Sequence, residues 1–337
     1  MKRVIFLLIV ASGFHGWAQS NINELLAAGL DDAERYTNAY LAPLSEGALS
    51  SISNGWYNSG EAKPLGGFEI SIIGNYGPFG NKEDKKTFIL NTADYENLQF
   101  VDGSTSKTVS SALGELEGIR VFVEGEVAPG VTAREEFELP SGLASENINF
   151  IPSAYLQASV GLIKGTEIKA RFVPKVNAED ASIGLYGIGI QHEFTQYLPA
   201  SKVFPVAISG VIGYTHLDGT YDFTNTNIIA GENQRIDAVM DTWVFQAVAS
   251  TKLPVINFYG GISYMTGKST TDILGTYTVQ SGPFRETYTD PFSVVKDARG
   301  VRANIGAKLK LGFFRLHADY TLAEFNNLSV GINFGFR

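Results

Sequence analysis

The chain has 337 residues, a formal charge of −9, no cysteine and a mean hydropathy of +0.01. The acidic balance, with no basic patch of interleaved aromatics, argues against a nucleic-acid partner. The lack of cysteine excludes a disulfide framework, so stability must come from a packed core or a closed hydrogen-bonded sheet. The 36 glycines, 22 phenylalanines and 15 tyrosines against 3 methionines suit strands. Near-zero hydropathy is also what a wall with one apolar and one polar face averages to.

Lys2 and Arg3 precede an apolar run from Val4 to Ala11, and Gly16-Trp17-Ala18 stands before Gln19. This reads as a cleaved secretory signal over residues 1–18. The run is about half of the ~20 residues a spanning helix needs. Export would leave 24 basic against 35 acidic residues, a mature charge of −11.

Residues 19–64 read as a separate N-terminal segment outside the wall. Asn21 with Glu24 three positions on is a capping box, and Ile22, Leu25, Leu26, Leu30, Ala33, Tyr36 and Tyr40 recur at helical spacing. The helix is expected to end before Pro43, with a small, turn-prone stretch from Ser45 to Gly60 around Asn54-Gly55-Trp56-Tyr57. Two readings are open here. One is a periplasmic appendage helix. The other is a plug in the barrel mouth, carried by Leu25, Leu26, Tyr36, Tyr40, Trp56 and Tyr57.

Residues 65–337 alternate with period two. Phe68, Ile70 and Ile72 oppose Glu69 and Ser71 before Gly77-Pro78 breaks the run, and an irregular strand is expected between Thr87 and Phe100. From Ile119 to Val127 apolar residues face Arg120, Phe122, Glu124 and Glu126. The same dyad recurs from Leu156, Ile168, Tyr186, Val206, Trp243, Ile256, Val301 and Phe314, and in the last strand from Leu328 to Phe336. Segments of about ten residues are long enough to cross a hydrocarbon layer when tilted. Short turns at Lys164-Gly165, Lys252-Leu253-Pro254 and Leu311-Gly312 alternate with long connections at Pro129–Ile151, Leu217–Met240 and Thr266–Lys296, the pattern of periplasmic turns and outer loops. The expected fold is all-β: a transmembrane antiparallel up-and-down barrel of about 12 to 14 strands with a short N-terminal helical plug-like segment.

A lipid-facing Lys or Arg costs roughly 2 to 4 kcal/mol at the midplane, so the polar parity must be the lumen. The lumen candidates are Arg120, Phe122, Glu124, Glu126, Glu167, Lys169, Arg171, Tyr259, Arg302, Lys308, Lys310, Arg315, His317 and Asp319. The charges among them read either as a hydrated ion-pair network stiffening the wall or as a charged path or headgroup site. Catalysis finds little support. His192 falls on the lipid parity, His216 at the outer rim, and His317 in the lumen two residues before Asp319, with no serine placed beside it by sequence. Metal ligation lacks paired spacing, no cofactor is implied, and the Gly-x-Gly at Gly187 to Gly189 lies inside a strand with no helix after it.

Residues 155–175, YLQASVGLIKGTEIKARFVPK, followed by Gly187-Ile188-Gly189-Ile190-Gln191-His192-Glu193-Phe194 and Leu198-Pro199, resemble an uncharacterised outer-membrane barrel family of Bacteroidota. The likeness covers most of the mature chain and implies no established activity. In architecture alone, an amphipathic leader followed by a barrel is similar to the long-chain fatty acid transporter family, whose leader forms a hatch in a 14-stranded barrel. No ligand residue matches that family position by position, and the lumen is more charged than a fatty-acid tunnel. The leading expectation is a non-enzymatic outer-membrane barrel that binds or passively admits a small hydrophobic or amphipathic molecule. The alternative is a structural or surface-interaction barrel; a hydrolase using His317 comes third. The expected partners are outer-membrane lipid, the barrel-assembly machinery at residues 327–337 and a hydrophobic ligand.

Overall fold

Alternation decides the wall strand by strand. In the last strand, Leu328, Val330, Ile332, Phe334 and Phe336 are exposed while Ser329 and Asn333 are fully buried, so the apolar face points away from the protein and the polar face into it. A water-soluble sheet does the reverse; a barrel solvated by lipid does this.

The computed structural model describes residues 22, 24–178, 180–198, 205–223, 231–279 and 286–336, without the side chains of residues 126–128 and 178. The expected signal segment and Asn21 lie outside the described residues. The wall strands are β1 (Phe68–Pro78), β7 (Phe150–Gly161), β8 (Thr166–Ala178), β9 (Ala181–Glu193), β10 (Val206–Asp222), β11 (Gly231–Thr251), β12 (Ile256–Thr278), β14 (Phe292–Leu311), β15 (Phe314–Leu322) and β16 (Asn327–Phe336). Each pairs antiparallel with its neighbour, and β1 pairs β16 from Phe68↔Phe336 to Tyr76↔Leu328, which closes the ring. A short strand, β13 (Thr287–Thr289), adds to the end of β12.

The barrel therefore has ten strands among the described residues, below the 12 to 14 expected. The missing strands come from one place. Residues 79–149 leave the wall altogether and form an outer insert. In it β2 (Thr87–Asn91) pairs β4 (Ser106–Ser110), and β5 (Arg120–Ala128) pairs both β3 (Gln99–Phe100) and β6 (Val131–Glu138). The alternation from Ile119 is real, but its apolar parity is sealed: Val121 and Val123 have no exposure, whereas lipid-facing Ile70 is 49% exposed. Two of the expected outer loops are instead largely strand. β10, β11, β12 and β14 run 17 to 23 residues and rise above the short β1, β15 and β16, so one side of the wall is tall.

The N-terminal segment fills the inside of the ring. The expected helix is broken at Gly29, whose φ of 100° lies in the left-handed region. It then restarts as α1 (Leu30–Ile52), passing through Pro43 rather than ending before it. Pro43 removes one intrahelical bond, but the turns after it are held by packing on the wall, where Ser51 bonds Ser153 and Leu49 is fully buried. At its start α1 packs with the outer insert: the Asp32 carboxylate accepts backbone N–H bonds from Glu96, Asn97 and Leu98 at 2.8–3.2 Å. The chain after Ile52 then descends the bore to the rim where β1 begins, and Gly66 donates its N–H to Gly161 O at 3.0 Å.

Candidate functional site

Two zones share the bore, and the descending chain makes both. In the inner zone, wall arginines catch the end of α1. Helix carbonyls at the last turn lack intrahelical donors and carry partial negative charge, and α1 has no basic residue there. The wall supplies them. Arg171 on β8 donates to Ile52 O at 2.9 Å, and Arg302 on β14 donates to Ser53 Oγ at 2.8 Å and Asn54 Oδ1 at 3.3 Å. The Arg171 guanidinium lies 3.6 Å from the Trp56 ring centroid and 4.1 Å from that of Tyr155, a buried cation between two aromatic faces.

Trp56 has a slot cut for it. Gly189 and Gly213 are cross-strand partners on β9 and β10, and a Cβ on Gly189 would meet Trp56 at 2.7 Å; one on Gly213 would collide with the indole as well. The Gly-x-Gly of the sequence is thus a packing device rather than a phosphate loop. Tyr57 stacks edge-on with Tyr259 and bonds Asn304, and Tyr259 OH donates to Asp319 at 2.9 Å.

Below this, charges pair through the plug. Glu69 binds Lys308 at 2.9 Å, Arg315 at 2.8 Å and the Asn58 amide at 2.8 Å; Glu167 binds Lys63 at 3.0 Å and Lys169 at 2.6 Å. Lys310 lies at the inner rim, 3.7 Å from Glu61. The His317 Nδ1 faces the Asn333 amide at 2.9 Å, and among the described residues no serine hydroxyl is bonded to it. Nor do the described residues contain a cluster of His, Asp or Glu able to hold a metal ion.

The lumen candidates Glu167, Lys169, Arg171, Tyr259, Arg302, Lys308, Lys310, Arg315, His317 and Asp319 therefore come together, around plug residues the sequence reading did not single out: Ser53, Asn58 and Lys63. Four candidates do not join them. Arg120, Phe122, Glu124 and Glu126 sit on β5 of the outer insert, where Arg120 pairs Glu136 at 3.3 Å and Phe122 lies under Arg134 at 3.6 Å; the side chain of Glu126 lies outside the described residues. The plug residues Leu25, Leu26 and Tyr36 are buried in the cluster that joins α1's start to the insert, with Tyr40 packed against it, while Trp56 and Tyr57 reach the inner zone.

The outer zone is apolar. Between α1 and the wall lies a cavity of about 280 Å³, near the lower end of small-molecule pockets. Tyr36, Tyr40, Leu44, Ala48 and Ile52 line it along one stripe of the helix, and Val173, Leu185, Ile236, Met240 and Ile273 line it from the wall. The segment Pro140–Ile148 roofs it. Among the described residues its lining holds one charged residue, Glu146, and no Lys, Arg or His.

The wall beside this cavity is incomplete. β7 and β8 pair only from Leu156↔Phe172 to Gly161↔Glu167; beyond that, Phe150–Tyr155 pairs with β1 alone, and Val173 onward pairs with β9 alone through a register shift. Pro152 and Pro174, one on each bank, lack the N–H a ladder needs. Pro152 and Ala154, on the lipid-facing parity of β7, line the cavity, which they can reach only where the two strands have parted.

Among solved structures, the chain is similar to the attachment invasion locus protein Ail of Yersinia pestis (10% identity over 81% of this chain and 99% of that one, TM-score 0.29). It is similar to the same degree to the translocator domain of the autotransporter NalP from Neisseria meningitidis (11%, 92% and 96%, 0.29) and to the COG4313 outer membrane channel of Pseudomonas putida F1 (8%, 84% and 100%, 0.29). At these scores the barrel stands on its own strand pairing, not on the likeness. No curated protein matches. The family comparison is of another kind: residues 1–336 match the model of DUF6588, and the chain belongs to this family of unknown function.

Proposed function

We propose that the barrel sits in the bacterial outer membrane, delivered there by its signal segment, and binds a small hydrophobic or amphipathic molecule in the cavity between α1 and the wall as a step in its passive uptake. The observation that carries this reading is the lining: a partly enclosed chamber that is apolar on both sides, inside a bore whose other half is filled with paired charges. Apolar surface left uncovered within a wall is costly unless something fills it. On this reading residues 53–67 are a closed hatch, the ionic pairs below hold it shut, and release toward the periplasm needs the hatch to move. The reading assigns no enzymatic step and no cofactor. The β16 strand is the segment offered to the assembly machinery.

A second reading, a structural or surface-interaction barrel, draws support from the filled inner bore and the insert of residues 79–149. Saturable binding separates the two. A neutral fluorophore of suitable size, N-phenyl-1-naphthylamine, should bind the purified protein with about one site, and Ala48→Trp, which fills the chamber from the helix side, should abolish that site while the barrel stays folded. Equal binding by both proteins would move the function to the surface reading.

A further inference from the structure

The cavity has a side door, and its chemistry selects what comes through. We infer that the parting of β7 and β8 is a lateral portal through which an uncharged hydrophobic molecule reaches the chamber directly from the outer-leaflet lipid, and that anionic amphipaths such as fatty-acid carboxylates are rejected. This rests on the reading of the chamber as a binding site and adds its route and ligand class.

Three observations converge on this. First, the ladder ends at Leu156↔Phe172, and Phe172 is paired on its other side with Tyr186, one of the exposed aromatics that with Tyr76, Trp243 and Tyr264 ring the outer edge of the apolar band. The banks part at that ring, so the β8-facing backbone of Pro152 and Ala154, left without a partner strand, meets headgroups and water rather than hydrocarbon, where open sheet edges do not occur. Second, the sequence enforces the parting. Continued register would bring Ala154 opposite Pro174 and Pro152 opposite Val176, and neither proline can donate to a ladder. Third, the opening leads somewhere: Pro152, Ala154 and Val176 on its banks line the same cavity as Leu44 and Ile52 on α1.

The ligand class follows from charge. Among the described residues Glu146 is the only charged side chain on the lining, and it repels an anion. Arg171, which bonds the carbonyl of the lining residue Ile52, and Arg302 are already held by the end of α1. A carboxylate carried into the chamber would be buried without a cation, which is among the most unfavourable transfers in protein chemistry. A neutral hydrocarbon or aromatic compound meets no such barrier: it enters at the headgroup level, where the banks part, and passes Pro152, Ala154 and Val176 to the Leu and Ile side chains of the chamber.

The absence of cysteine makes the portal directly testable. Ala154→Cys with Lys175→Cys puts one thiol on each bank, to be bridged by a bis-maleimide containing a reducible disulfide. The protein is reconstituted in liposomes, and loading of N-phenyl-1-naphthylamine from the bilayer is followed by fluorescence. The portal predicts loading slowed by about tenfold or more when the banks are bridged, since a closed gate sets the rate, with full recovery on reduction of the same sample, which also shows that the variant is folded. Loading at an unchanged rate while bridged overturns the portal but leaves the chamber standing. No saturable binding in the unbridged protein overturns the chamber reading itself. For the ligand class, the similarly sized anion 1-anilinonaphthalene-8-sulfonate should compete roughly 100-fold more weakly than the neutral probe; equal competition overturns the exclusion of anions.

Discussion

Arg171 is the residue on which the inner zone turns. Its side chain is buried, and it ties a wall strand to the last carbonyl of α1 while lying between Trp56 and Tyr155. A buried cation at a helix C-terminus and a desolvated cation–π contact are worth up to about 2 kcal/mol each. Arg171→Met should therefore loosen the plug by roughly 2 to 4 kcal/mol while leaving the wall ladder intact. Hydrogen exchange should then speed up across residues 50–60 and not in β8 or β9. At the same scale, Gly213→Val removes the slot for the indole. The expected outcome is a red-shifted Trp56 emission and a plug that is cleaved by protease in the folded barrel; an unchanged spectrum would mean that the slot does not hold the ring. Arg171 was legible in the sequence as a lumen residue because a Lys or Arg on a wall strand has nowhere else to go. Its partner was not. Trp56 lies 115 positions away from Arg171 by their residue numbers, and only the glycines at 189 and 213 carry a trace of it. Glycine on a strand signals close approach without saying of what.

At the scale of elements, the sequence reading erred wherever two environments produce the same pattern. A period of two marks a strand with unlike faces, and β5 has them, but the cover on its apolar face is the outer insert and the N-terminal segment rather than lipid. Long polar, threonine-rich stretches at 217–240 and 266–296 lack a strong apolar parity because those parts of β10, β11, β12 and β14 rise above the membrane, where neither face needs to be apolar. α1 differs for another reason. Proline usually ends a helix, yet here bonds to the insert before Pro43 and to the wall after it hold the axis. Pro43→Ala should therefore raise the thermal midpoint, since it restores a bond and removes a helix-interior proline penalty of up to about 3 kcal/mol. A lowered midpoint would show that the local bend is needed for α1 to fit the bore.

The second half of the same helix also sets a pH dependence. Burial alone would raise the Glu46 carboxyl, but hydrogen bonds from Lys296 and Lys85, both at 2.9 Å, more than offset it and hold its pKa below the usual 4.5. A lowered folded value means that this tether is fully present above about 4.5 and is lost as pH falls through the lower folded value. Protection of residues 40–50 against hydrogen exchange should drop over that acidic window in the native protein. In Glu46→Gln it should be lower throughout and flat with pH.

The whole molecule is a ten-stranded ring with its own N-terminus threaded through it from the tall outer side to the inner rim. The closed ladder predicts a difference in electrophoretic mobility between unboiled and boiled protein in mild detergent, and identical mobility would contradict a closed barrel. Segregation within the bore follows from the same threading. The descending loop brings short polar side chains to the charged wall below, and the helix brings Leu, Ala and Tyr to the aliphatic wall above. That division gives the molecule a polar seal and an apolar chamber in series, and the chamber is the part on which the functional reading stands. Its most direct test is native mass spectrometry of the protein extracted gently from its own membrane, with small molecules released and identified, beside the Ala48→Trp variant handled in the same way. A neutral apolar passenger at about one per barrel, absent from the variant, is the result expected. An empty barrel in both, or the same lipids in both, would contradict a binding chamber and leave the surface-interaction reading in its place.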